Sequence, residues 1–95
     1  MTNVEARFHR DIRELGCIVC RKYLGVMSDC DIHHILSGGR RKGEMYVLGL
    51  CPTHHRLGIR TENFVSRHPH KAEFERRYGT EAELLSATRE FIDRR

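Results

Sequence analysis

Ninety-five residues are enough for one small domain, and a chain of this length buries only about two-thirds of the surface that its unfolded form exposes. With 39% hydrophobic residues, four Phe, three Tyr and no Trp, the core is short of bulk, so a staple beyond hydrophobic burial is expected. The net charge of +4 is concentrated in residues 31–71, which hold seven basic against three acidic side chains and six of the seven His. That excludes an acidic protein and fits a polyanionic partner, and no apolar run is long enough for a membrane span.

In chain order, Val4, Phe8, Ile12 and Leu15 fall at spacings of four, four and three and predict an amphipathic helix over residues 3–15, closed by Gly16. Cys17 to Cys20 reads as a tight knuckle. Residues 23–36 read as extended, with a turn near Ser28 and Asp29, and residues 37–45 (SGGRRKGEM) as an exposed loop. Tyr46 to Leu50 has the composition of a short buried strand. Pro52 suits the first turn of a helix carrying Thr53 to Leu57 and fading at Gly58. After a polar connection, Pro69 opens a helix through Ala72, Phe74 and Tyr78 that stops at Gly79. Thr80 and Glu83 form a capping box for a last helix from about Glu81 to Ile92, whose apolar face is Leu84, Leu85, Thr88 and Ile92. The two terminal helices read as scaffold.

Four Cys in a chain whose first residues lack an apolar leader point to a reduced, cytoplasmic setting and to metal rather than disulfides. Cys17 and Cys20 are spaced C-x2-C, and Cys51 and His54 C-x2-H. Together they form a Cys3His set, the closed tetrahedral arrangement that structural Zn2+ favours. Such sites release about 10–16 kcal/mol on binding, comparable with the whole stability of a small domain. Cys30 has no partner at that spacing and is assigned to packing.

His33, His34, His55 and His68 remain, in the same basic stretch. Neighbours on a strand point to opposite faces, so of His33 and His34 one can ligate a metal while the other serves as base. His54 and His55 can divide in the same way. A third ligand must come from further on, His68 or its near alternative His70.

D-I-H-H-I at 31–35 followed by L-C-P-T-H-H-R at 50–56 resembles the HNH, or His-Me finger, endonuclease motif. More closely, the early C-x2-C, the Gly- and Arg-containing loop, H-P-H-K-A-E-F at 68–74 and Y-G-T-E-A-E-L-L at 78–85 resemble the phage recombination-enhancement, RecA-dependent nucleases. The resemblance spans about Phe8 to Leu85. It implies an α+β fold, a ββα-metal core with a zinc knuckle and flanking helices, as a single nuclease domain over residues 1–95. It implies His34 as general base, His33, His55 and His68 as ligands of a catalytic divalent ion, and Cys17, Cys20, Cys51 and His54 as the structural zinc site. DNA and a RecA filament are the implied partners, in a bacterial host with phage or prophage origin. The central Asn of the HNH name has no counterpart, since the chain has only Asn3 and Asn63. A backbone carbonyl in the 46–50 strand is the expected substitute for orienting His34.

The expected reaction is hydrolysis of DNA phosphodiesters with little sequence specificity. An imidazole, of ordinary pKa about 6.5, takes a proton from the attacking water at neutral pH. All-imidazole ligation suits Zn2+, Ni2+ or Mn2+ better than Mg2+, although a water-rich site can use Mg2+. Arg40, Arg41 and Lys42 in the loop, with Arg56 and Arg60 beyond His55, are the phosphate-contact candidates. A non-catalytic zinc-binding DNA module and a recombination adaptor are the alternatives.

Overall fold

The computed structural model describes all 95 residues as an α+β domain in which four helices surround two small antiparallel sheets. Helix α1 (Asn3–Leu15) begins at a capping box: the Glu5 amide donates to Thr2 Oγ1 at 3.1 Å and the Thr2 amide to Glu5 Oε1 at 2.7 Å. It buries Phe8, His9, Ile12 and Leu15. Val4, expected on the apolar face, is instead 65% exposed, so burial on α1 begins only at Phe8. Gly16 ends α1 with φ at 85°, and a Cβ there would lie 2.5 Å from the Ser28 carbonyl. Only glycine lets the Cys17 amide reach that carbonyl, at 3.0 Å.

The region after the knuckle departs from the extended reading. Cys20–Leu24 forms a π-helical turn stopped at Gly25, and regular strand begins only at Asp31. Two buried cysteines draw the chain back on itself here, so the local β-forming composition of residues 23–27 does not decide its shape. Strand β1 (Asp31–His34) pairs with β4 (Val47–Leu50), with Ile32 opposite Gly49 and His34 opposite Val47. Between them the expected loop contains a second hairpin. Strands β2 (Leu36–Ser37) and β3 (Arg40–Arg41) are joined by Gly38 and Gly39, both at positive φ, the conformation a two-residue hairpin turn requires.

All four β4 residues are buried. Gly49 lies close against the end of α1, where a Cβ would meet Ile12 Cγ2 at 2.9 Å and the Gly16 carbonyl at 2.8 Å, and also Cys30 Sγ at 2.7 Å. Helix α2 (Pro52–His55) has Pro52 in its first turn and ends at Arg56, shorter than the expected span to Leu57. The connection behind it is ordered by hydrogen bonds to α2: the Arg67 amide donates to the His54 carbonyl and the His68 amide to the His55 carbonyl, each at 2.8 Å. Helix α3 (Lys71–Tyr78) buries Phe74 and Tyr78, and leaves Ala72 exposed.

Helix α4 (Glu81–Asp93) starts at the expected capping box of Thr80 and Glu83 and buries Leu84, Leu85 and Thr88, with Ile92 partly buried. It packs against α1 and β4, and Arg95 beyond its end pairs with Asp11 at 3.1 Å and Glu14 at 3.2 Å on α1. One cluster of 16 buried apolar residues runs through the domain and includes Cys17, Cys20 and Cys51. No helix is long and apolar enough to cross a membrane.

Candidate functional site

The knuckle and the start of α2 bring Cys17, Cys20, Cys51 and His54 together, all buried, with their donor atoms within 4.8 Å of one another. A tetrahedral zinc with Zn–S near 2.3 Å spaces sulfurs about 3.8 Å apart and sulfur from nitrogen about 3.6 Å. Cys20 and Cys51 sulfurs are 3.8 Å apart, and His54 Nδ1 lies 3.7, 3.6 and 3.2 Å from the sulfurs of Cys17, Cys20 and Cys51. The donor set therefore fits a metal such as zinc in both chemistry and spacing. The Cys20 amide donates to Cys17 Sγ at 3.5 Å, as expected for a knuckle that holds thiolate. Hydrogen bonds from Cys17 and then His54 pull the Cys51 thiol down to about 3, whereas the bond with Cys51, followed by burial, pushes Cys17 up. One thiolate is thus favoured and a second opposed, a conflict that a dication at the centre removes. Phe64 and Tyr78 pack against the His54 ring.

A separate group comprises His33 from β1, His55 from α2 and His68 from the following connection, again with donor atoms within 4.8 Å. His33 Nδ1 and His55 Nε2 approach to 3.2 Å. The remaining nitrogen of each is held by a carboxylate: His33 Nε2 bonds to Glu81 at the start of α4, and His55 Nδ1 lies 3.0 Å from Asp31 Oδ2. This fixes which nitrogen faces the centre, as in metal sites where a carboxylate orients each ligating imidazole. Burial raises the Glu81 carboxyl, but the hydrogen bond from His33 and the charge of Arg67, 3.6 Å away, outweigh it and hold the group below its usual range. Hydrogen bonding from His55, then from Arg56, holds Asp31 low. Burial, followed by the charges of Arg67, His33 and His55, pushes His68 down toward the neutral form a metal requires. His33 is buried, His55 intermediate and His68 exposed, so the centre opens to solvent on one side. The two backbone bonds from residues 67 and 68 to α2 select His68 over His70 for this group.

Strand alternation separates His34 from that group. Its Nε2 lies 3.3 Å from Glu44 Oε1, so a side chain in the connection before β4 replaces the expected backbone carbonyl of the 46–50 strand. Arg40 and Arg41 are exposed on β3, and Lys42 Nζ sits 4.5 Å from the Tyr46 ring centroid. Arg56 and Arg60 are engaged with acids instead: Arg56 Nε with Asp31 at 2.8 Å, and Arg60 with both oxygens of Glu73 at 3.1 and 3.3 Å. Cys30 packs partly buried against the core near the Ile12 carbonyl, and burial raises its thiol to about 11.

Asp31, Glu44, Glu81, Arg67 and His9 are candidate site residues to which the sequence reading gave no role, although Asp31 and Glu81 lie within the D-I-H-H-I and Y-G-T-E-A-E-L-L motifs. Asp31 was readable, since it stands two residues before His33 and so shares its strand face. His9 carried a weaker signal, a polar residue beside the Phe8–Ile12 stripe. Glu81, 48 residues from His33, stands in the Y-G-T-E-A-E-L-L stretch, but nothing there marks it as the partner of His33. A family model described as recombination enhancement, RecA-dependent nuclease matches residues 1–93 of the chain. No curated protein matches it.

Proposed function

The chain belongs to the recombination-enhancement, RecA-dependent nuclease family, and from that premise we propose that it is a metal-dependent DNA endonuclease of the HNH type, with the knuckle as its structural zinc site. The observation that carries this reading is the half-open imidazole group with a carboxylate behind each of His33 and His55. A purely structural site would be closed, as the Cys3His site is. A divalent ion held by His33, His55 and His68 would supply stabilisation of the charge that develops on phosphate oxygens.

The chain's own residues do the rest. His34, at the end of β1 next to His33, takes the proton from the water that attacks phosphorus, and the bond to the 3′ oxygen breaks to leave 5′-phosphate and 3′-hydroxyl ends. Glu81 and Asp31 keep the two imidazoles from rotating. Arg40 and Arg41, presented on the Gly-Gly hairpin, meet backbone phosphates, so binding is weakly sequence-selective and falls with salt. Arg56 and Arg60 are exposed ion pairs of little intrinsic strength, and a phosphate can displace their carboxylates.

The test is incubation of the purified protein with supercoiled plasmid and single-stranded DNA under Mg2+, Mn2+, Ni2+ and Zn2+, with and without a RecA filament. Nicking by the wild type and its loss in His34→Ala, with DNA binding retained, is the expected result. DNA left intact under every metal, with and without the filament, overturns the reading. Arg40→Ala and Arg41→Ala are each expected to lower DNA affinity and to reduce the slope of log affinity against log salt by about one.

A further inference from the structure

His34 belongs to a polar group of its own. Glu44 Oε1 lies 3.3 Å from His34 Nε2, and the same residue is also reached by His9 of α1. His9 Nε2–H donates to the Glu44 backbone carbonyl at 2.7 Å and lies 3.4 Å from the same Oε1. His9 is 5% exposed, and its ring stands edge-on to that of His34, with centroids 6.3 Å apart. Two imidazoles from different elements thus converge on one acidic residue, in a chain whose hairpin has no Asn to orient a base.

A neutral imidazole exchanges its proton between two nitrogens and can flip about its ring axis, and only one arrangement aims a lone pair at the attacking water. A carboxylate that accepts from Nε2–H places the lone pair on Nδ1 and opposes the flip. Glu44 alone would hold poorly, because its side chain is 30% exposed and it follows Gly43, whose φ is 143°. The buried donor on His9 anchors its main chain to α1, a helix already fixed to the core by Phe8, Ile12 and Leu15.

We propose that Glu44 is the positioning residue for His34, accepting its Nε2–H so that Nδ1 carries the lone pair, and that His9 clamps Glu44 from helix α1. The proposal rests on the assignment of His34 as base. It explains why a buried histidine sits on a helix that otherwise serves as scaffold.

The experiment uses zinc-loaded wild type and the variants Glu44→Ala, Glu44→Gln, His9→Ala and His34→Ala, together with the double variant of His34 and Glu44 to Ala. Steady-state nicking of supercoiled plasmid gives kcat and KM, and long-range proton–nitrogen NMR correlations of the imidazoles report the His34 tautomer independently of activity. The wild type is expected to show the Nε2–H tautomer. Glu44→Ala is expected to lower kcat by about 10- to 100-fold with KM unchanged and to lose the tautomer preference. Glu44→Gln, whose amide oxygen still accepts, recovers part of the rate; His9→Ala lies between; and adding Glu44→Ala to His34→Ala costs nothing more. An Nδ1–H tautomer in the wild type, or a Glu44→Ala kcat within about twofold of wild type beside an inactive His34→Ala, overturns the positioning role alone. Full nicking by His34→Ala overturns the base assignment itself.

Discussion

Each candidate ligand imidazole on β1 and α2 has one nitrogen committed to an acid, which removes the freedom that a lone histidine keeps. His33 is held by Glu81 and His55 by Asp31, and Arg67 and Arg56 in turn face those carboxylates. Removing an acid leaves the imidazole present but free to present either nitrogen. Glu81→Gln and Asp31→Asn are therefore each expected to weaken divalent-ion binding by about 10- to 100-fold while the fold persists. Isothermal titration of Mn2+ into zinc-loaded protein measures this, and unchanged affinity in both variants would refute the orienting role. Cys30 illustrates the opposite case, a thiol without a second donor at hand, raised by burial and kept as packing.

At the scale of elements, the domain depends on how closely α1 lies against the β1–β4 hairpin. Gly16 and Gly49 make that approach possible from the two sides, and the Gly16 carbonyl would be 2.8 Å from a Cβ at position 49. A backbone atom cannot step aside as a flexible side chain can. Gly49→Ala is expected to destabilise the domain by about 1–3 kcal/mol, as overpacking does, read from the midpoint of urea unfolding. A midpoint equal to wild type would show that α1 is free to move. The same contact sets His9 beside Glu44, so the position of the proposed base is coupled to the packing of a helix remote from it in sequence. The Gly38–Gly39 turn acts on a smaller scale, converting part of a flexible basic loop into a hairpin that presents Arg40 and Arg41 together.

For the whole molecule, the thin apolar core and the Cys3His site form one structure: three of the four donors are members of the buried cluster and His54 is 2% exposed. Zinc binding worth about 10–16 kcal/mol is as large as the stability of an ordinary domain. Removal of zinc by a strong chelator is accordingly expected to unfold the protein cooperatively, with recovery on adding Zn2+, followed by far-UV circular dichroism and metal analysis. Cys17→Ala should reproduce the loss without chelator, whereas retention of native ellipticity in both would show that the core suffices alone.

The sequence by itself determined the Cys3His set of candidate ligands, whose C-x2-C and C-x2-H pairs carry their chemistry in their spacing, the second group up to the choice between His68 and His70, and the capping box at Thr80, a local device. Alternation along β1 likewise separated His33 from His34 before any contact was known. What tertiary structure alone decided were the partners supplied from afar: Glu81 for His33, Glu44 and His9 for His34, and His68 rather than His70 as the third imidazole. It also decided the π-helical turn after the knuckle, where two buried cysteines override the local preference for strand. The reason is physical. Spacing constrains which side chains can share a turn or a strand face, but the carboxylate that meets an imidazole across 48 residues is chosen by how helices pack on the hairpin, and no local pattern records that choice.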